Sequence, residues 1–256
     1  MFTDSHCHLD RLDLSNHNND FAQLYEQQLK PQLQQMLCVS IDLESYPAMM
    51  EMVGGFENIY TSVGVHPNDR DRREPTVEEL IELYHRYPAN IAIGETGLDY
   101  YYDKGDMEWQ QQRFRTHIRA AKALQRPLII HTRDAREDTI RILKEEQAEE
   151  VGGVLHCFTE SWEMAQQGME LGFYVSFSGI VTFNSARELR EVAAKMPLER
   201  ILIETDSPYL APVPFRGKPN YPDYVGQVAE KIAEIRDLPV ATVAQLTTEN
   251  FNRLFL

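Results

Sequence analysis

Six side chains of the types that hold divalent cations stand at the ends of short apolar runs: His6, His8, Glu95, His131, His156 and Asp206. His6 and His8 are two residues apart, and in an extended strand residues i and i+2 share a face, so both imidazoles can serve one cation while Cys7 faces the covering helices. Taken alone, such a pair reads more readily as two surface or loop histidines, because a motif that short carries little information. His131 and His156, however, each close an apolar run with no other polar group in it, which argues against a solvated location. Four imidazoles and two carboxylates form a nitrogen and oxygen donor set of the kind that suits zinc, magnesium, manganese or a similar ion. Burying them without metal or partners would be costly. They also outnumber the ligands of one tetrahedral ion, so the expectation is a pair of ions ~3.5–4 Å apart, bridged by a carboxylate and a hydroxide. Such a pair lowers the pKa of the bridging water toward neutrality for attack on a phosphorus or carbonyl centre. Asp206, a ligand that can also take a proton, is the expected general base.

Weaker candidates surround these six. His66 ends a run and precedes Pro67, which places it at the same rim as a substrate contact or a loop-packing residue. Arg133, two residues after His131, and Arg216, in the proline-rich stretch Ala211–Pro222, are expected to bind an anionic group if they are not ordinary surface ion pairs. His17, His85 and His117 fall in loop or helix patterns and read as solvated. Cys7, Cys38 and Cys157 carry no nucleophile signature and read as buried, inert, reduced thiols.

The elements that must position these residues follow from periodicity. Strands are expected at Met1–His8, Met36–Ser40, Ile59–His66, Ile91–Glu95, Leu128–His131, Val154–His156, Phe173–Phe177 and Ile201–Glu204. Helices are expected at Thr76–Tyr87, Met107–Leu124, Ala135–Glu146, Trp162–Leu171, Ser185–Lys195 and Tyr224–Asp237. The second strand is the least well marked, because the Gln-rich stretch before it contains Pro31 and no glycine marks its boundary. Strand and helix alternate without a flexible linker, which favours a parallel sheet covered by helices in a single domain over residues 1–256. About eight such units in ~250 residues is the size of a TIM (β/α)8 barrel, whose strand C-terminal ends converge on one face. A doubly wound open sheet would call for a Gly-rich turn after its first strand, and none is present.

Composition sets the remaining bounds. The 256 residues are 43% hydrophobic and 25% charged, which is ordinary for a globular chain. The formal charge of −15 argues against a broad nucleic-acid-binding face, though not against a small site made locally positive by metals. Three cysteines without a CxxC pair point to a reducing compartment, and no run is long and apolar enough to span a bilayer. Met1 and Phe2 lead straight into polar residues, unlike a secretory signal, so a cytoplasmic location with no membrane partner is expected.

At the ligand-bearing segments the chain resembles the TatD family of metal-dependent hydrolases. The matching segments are Asp4-Ser5-His6-Cys7-His8-Leu9-Asp10, Gly64-Val65-His66-Pro67, Gly94-Glu95-Thr96-Gly97-Leu98-Asp99-Tyr100, His131-Thr132-Arg133-Asp134-Ala135, Gly152–Phe158, Ser176-Phe177-Ser178-Gly179 and Glu204–Pro212. Asn250–Phe255 resembles the family's closing helix, and Asp13–Gln35 departs from the pattern. The resemblance implies an amidohydrolase-type barrel acting on phosphodiesters of DNA. It implies that His6, His8, Glu95 and Asp206 hold one ion and that Glu95, His131 and His156 hold the other, with Glu95 as the bridge. The expected activity is a metal-dependent deoxyribonuclease trimming DNA ends or a small phosphoester. The alternatives are hydrolysis of carboxylic esters or amides, aminoacyl esters included, and a metal-binding partner protein without turnover.

Overall fold

The apolar runs pair with one another in chain order. In the computed structural model, which describes residues 1–68, 70–102 and 105–256, eight strands form one sheet in the order β1 to β8. They are β1 (Phe2–Cys7), β2 (Leu33–Cys38), β3 (Ile59–Val63), β4 (Asn90–Asp99), β5 (Leu128–Arg133), β6 (Gly153–Leu155), β7 (Phe173–Phe177) and β8 (Ile201–Ile203). Every neighbouring pair is parallel. The two ends of the sheet meet just beyond the strands, where Asp206 N–H donates to the His6 carbonyl at 3.0 Å and His8 N–H to the Ser207 carbonyl at 2.8 Å. The sheet is therefore a TIM barrel, sealed at residues expected to carry its chemistry.

Helices return the chain between strands: α1 (Phe21–Leu24), α2 (Tyr46–Val53), α3 (Val77–Arg86), α4 (Glu108–Leu124), α5 (Arg136–Glu145), α6 (Trp162–Glu170), α7 (Arg187–Lys195), α8 (Val225–Arg236) and α9 (Val240–Phe255). The period-2 alternation of side chains divides the apolar residues into two cores. Leu37, Ile129, Val154, Tyr174 and Leu202 point inward and pack with Phe251 and Phe255 of α9, which plug the base of the barrel. Their neighbours Met36, Leu128, Ile130, Leu155, Val175 and Ile203 point outward to the helices, and Cys7 joins them there as expected. Two residues further along the inward face from Ile129, Val154 and Leu202 come His131, His156 and Glu204. The inner face thus changes from apolar to polar within one residue pair, toward the strand C-termini.

Several expectations need correction. β2 starts at Leu33 rather than Met36, because Phe2 pairs with Leu33 and Thr3 with Gln35 at the partly exposed base, where polar residues are tolerated. β3 ends at Val63, so His66 lies on the loop beyond it. β4 continues four residues past Glu95, to Asp99. Gly94 and Gly97 within β4 serve close approach of backbones. At Gly97 (φ 139°) a Cβ would lie 2.0 Å from the His131 carbonyl oxygen, so only glycine lets β4 and β5 stay paired. Helix α2 has no counterpart among the expected helices, although Tyr46, Met49, Met50 and Val53 bury the i, i+3, i+4, i+7 stripe of a helix and Pro47 sits in its first turn. His117 is not solvated: it is fully buried in α4, with Nε2 accepting from Val65 N–H at 3.0 Å and Nδ1 facing the Arg113 carbonyl at 2.8 Å. Among the described residues no helix is long and apolar enough to cross a membrane.

Candidate metal centre

Glu95 lies at the middle of the polar layer, almost completely buried, with its two oxygens turned to different neighbours. Oε2 is 3.3 Å from His6 Nε2 and 3.8 Å from His8 Nε2. Those two nitrogens are 3.3 Å from each other and 3.6 and 3.4 Å from Asp206 Oδ1. A tetrahedron built on bonds of ~2.0–2.2 Å has edges of ~3.3–3.6 Å, and four of these five separations fall in that range, the His8–Glu95 one being slightly longer. On the other side, Glu95 Oε1 lies 2.7 Å from His156 Nε2 and 3.1 Å from His131 Nδ1. Among the described residues, the triplets whose donor atoms lie within 4.8 Å of one another are His6, His8 and Glu95; His6, His156 and Asp206; and His66, Glu95 and His131.

The outer nitrogens decide what the inner ones can do. His8 Nδ1 is 2.9 Å from the Val39 carbonyl, His131 Nε2 is 3.0 Å from Asp99 Oδ2, and His156 Nδ1 is 3.3 Å from Glu204 Oε1. Each of these outer nitrogens faces an acceptor, so that with the proton held there the inner nitrogen offers its lone pair to a cation, the tautomer a metal ligand needs. His66 is the reverse case. Its Nδ1 accepts from Asn68 N–H at 3.0 Å, so in the neutral ring the proton sits on Nε2, 3.3 Å from Glu95 Oε1. His66 therefore enters the cluster as a hydrogen-bond donor and not as a cation ligand. His6 Nδ1, buried, has no partner at all among the described residues.

The charges are unbalanced without a cation. Burial disfavours the Glu95 carboxylate, but His156, His66, His6 and the hydrogen bond from His131 outweigh it and hold the carboxyl well below its usual range. Asp206 is held low in the same way, burial being overcome by the hydrogen bond from His8 and by the charges of His6 and His156. Burial works against protonation of His8, His131 and His156, yet the facing carboxylates raise all three. The pocket thus draws positive charge onto its ligand atoms, which protons or divalent cations can satisfy. The donor types, their spacing and the ligating tautomers all fit metal.

Asp206 differs from its three neighbours in access, its side chain being 14% exposed against 4% or less for His6, His8 and Glu95. It adopts a left-handed backbone conformation, φ 57°, directly after the barrel closure, as an Asp can. Arg133, the last residue of β5, lays its guanidinium 3.7 Å over the centroid of the Tyr101 ring. Arg216 is packed 3.9 Å over Phe183, on the loop beyond β8. The fold thus gathers His6, His8, His66, Glu95, His131, His156 and Asp206 into one cluster and gives each arginine an aromatic neighbour. Two residues escaped the sequence reading: Asp99, which also accepts from Asn68 Nδ2 and Tyr101 N–H, and Glu204, which also accepts from Cys157 N–H at 2.8 Å. Their signal was present, since Glu204 continues the inward face of β8 and Asp99 closes the motif that contains Glu95.

Such a barrel, with imidazole and carboxylate ligands at its mouth, belongs to the metal-dependent hydrolases. The chain is a member of the TatD family: the family model for TatD-related DNases matches residues 3–256. It is 48% identical over 256 residues to the metal-dependent hydrolase YcfH of Escherichia coli (strain K12), covering 100% of this chain and 96% of that one. Identity to the metal-dependent hydrolase YabD of Bacillus subtilis (strain 168) is 43% over 256 residues, covering 100% and 99%. The crystal structure of YjjV, a TatD homologue from Escherichia coli K12, matches with a TM-score of 0.88 at 27% identity, covering 99% of this chain and 97% of that chain.

Proposed function

We propose that this hydrolase cleaves phosphodiester bonds at DNA ends, with one divalent ion held by His6, His8, Glu95 and Asp206 and a second by Glu95, His131 and His156. The observation that carries the reading is the division of Glu95, whose Oε2 faces His6 and His8 while Oε1 faces His131 and His156. The family's description as DNases supports the choice of ester. Divalent cations bound there supply Lewis acidity to the ester and acidify a water.

The chain's own groups do the rest. Asp206, ionised and the most accessible of the four residues around its donor set, takes the proton of the attacking water as general base. His66 presents its Nε2–H toward the cluster and donates a hydrogen bond to a non-bridging phosphate oxygen. Arg133 and Arg216, cations in a chain of net charge −15, draw the phosphate to the mouth. Asp99 and Glu204 keep His131 and His156 in the ligating tautomer.

The test is a side-by-side assay of the metal-stripped chain, reloaded with zinc, magnesium or manganese, on single-stranded DNA, duplex DNA, RNA and aminoacyl esters. Nucleotides should be released from DNA ends, and chelation should abolish the release. Hydrolysis confined to acyl esters would replace this reading with an esterase, and metal uptake without turnover on any substrate would leave a metal-binding protein.

A further inference from the structure

Among the described residues the exposed large hydrophobic side chains are Met1, Tyr101, Tyr102, Tyr209, Val213 and Leu256. Met1 and Leu256 are the first and last residues of the chain. The other four all lie on the two loops that leave β4 and β8 at the mouth of the barrel, beside the metal centre. Apolar exposure scattered over a surface needs no explanation, but exposure gathered around a polar site does.

The loop after β4 is tied to that site. Asp99, the partner of His131, also accepts from Tyr101 N–H at 3.0 Å. Tyr101 and Tyr102, 50% and 68% exposed, meet edge to face with centroids 4.9 Å apart. Arg133 backs both rings, 3.7 Å from the centroid of one and 5.2 Å from that of the other. A cation–π contact of this kind stiffens the rings where they stand. In an eight-stranded barrel β8 lies opposite β4, and from its loop Tyr209, 50% exposed, sets its ring 6.0 Å from that of His8.

A phosphate group needs the arginines but offers nothing to cover tyrosine rings. An unpaired nucleobase does, because any base has a π-face that stacks on an aromatic side chain. Resting on the phosphodiesterase reading above, we infer that Tyr101 and Tyr102, with Tyr209 across the mouth, are a stacking platform for a nucleobase next to the scissile phosphodiester.

The experiment compares the metal-loaded enzyme on a single-stranded oligonucleotide and on the same oligonucleotide with abasic residues at its terminal positions. We expect kcat/KM to fall ~10-fold or more for the abasic ends, and Tyr102→Ala to lower the rate on normal ends by a similar factor while leaving the abasic rate unchanged. Tyr102→Trp should retain the wild-type preference. Equal rates of the wild type on the two substrates, or an equal loss on both in Tyr102→Ala, would overturn the platform while the nuclease reading stands. A second readout does not depend on cleavage: an oligonucleotide ending in 2-aminopurine should lose fluorescence on binding to the wild type and not to a Tyr101→Ala, Tyr102→Ala double variant. Quenching without turnover would keep the platform and remove the nuclease; absence of quenching in the wild type would remove the platform.

Discussion

On the β1 and β8 side of Glu95, His6 and His8 face a second carboxylate directly, Asp206 at 3.6 and 3.4 Å. On the β5 and β6 side, the inner nitrogens of His131 and His156 rest on Glu95, and carboxylates stand behind the rings, Asp99 at 3.0 Å and Glu204 at 3.3 Å. The first side places its extra negative charge among the ligand atoms, where a substrate can reach it. The second places it one layer back, where it orients imidazoles and makes them more basic without touching substrate. The two halves therefore offer similar charge to a cation but divide the work differently, and substitutions should expose the division.

The largest effect is expected at the residue both halves share. Glu95→Gln should weaken both cation sites and reduce kcat beyond the ~10²–10⁴-fold that loss of a general base alone produces. Asp206→Asn keeps an oxygen donor and removes the basic one, so kcat should fall by about 10²–10⁴-fold while bound metal falls less than in Glu95→Gln. Measuring turnover and metal content on the same preparations of both variants checks the pair. Near-normal turnover in Asp206→Asn with full metal occupancy would remove that residue from proton transfer and with it the functional difference between the halves.

A smaller effect, of opposite character, is expected one layer back. Asp99→Asn and Glu204→Gln should each weaken cation binding ~10–100-fold on the β5 and β6 side, with kcat at saturating metal closer to wild type than in Asp206→Asn. Competition with a chromophoric chelator reads the affinity. An unchanged affinity in both variants would mean that the tautomers of His131 and His156 are fixed without these carboxylates.

The smallest effect lies outside the cluster and serves as a contrast. His117 is pushed down to about 4, first by burial and further by the nearby Arg113 guanidinium, against the pull of its hydrogen bond to the Arg113 carbonyl. Its folded pKa lies below its unfolded value near 6.5, so the unfolded chain binds the proton more readily between the two. Stability from this residue is full above about pH 6.5 and is lost as pH falls toward 4, a change on the order of 3 kcal/mol at most. Denaturant unfolding of the metal-free chain between these pH values should show a shallower acid loss in His117→Gln than in the wild type. Equal slopes would place the acid sensitivity elsewhere.

These contrasts also mark what could be read from the chain alone. The alternation of apolar runs with amphipathic stretches specified the barrel, because a buried parallel strand and its covering helix have distinct periods. The six cation-binding candidates were legible because a histidine or carboxylate closing an apolar run has few other uses. Asp99 was missed because β4 was read as ending at Glu95, so Asp99 seemed to lie in a loop, when the two glycines in fact let the strand run on. Glu204 was passed over because Asp206, two residues later, carried the stronger signal. His117 was misplaced because an isolated histidine in a helix pattern reads as solvated; only the packed fold shows the Val65 N–H that it satisfies. Likewise, the exposure of Tyr101 and Tyr102 beside the site is a property of the closed barrel and of no local pattern.

The central claim is that Glu95 is shared between two cations, and metal stoichiometry tests it most directly. Metal-stripped chain titrated with zinc, then freed of excess and measured by elemental analysis, should hold two ions per chain. His8→Ala should retain the ion bound through His131 and His156, and His131→Ala the ion bound through His6, His8 and Asp206, so each variant should hold about one. A wild type that saturates at one ion or fewer, or variants of both halves that bind as much metal as the wild type, would contradict the shared-carboxylate account.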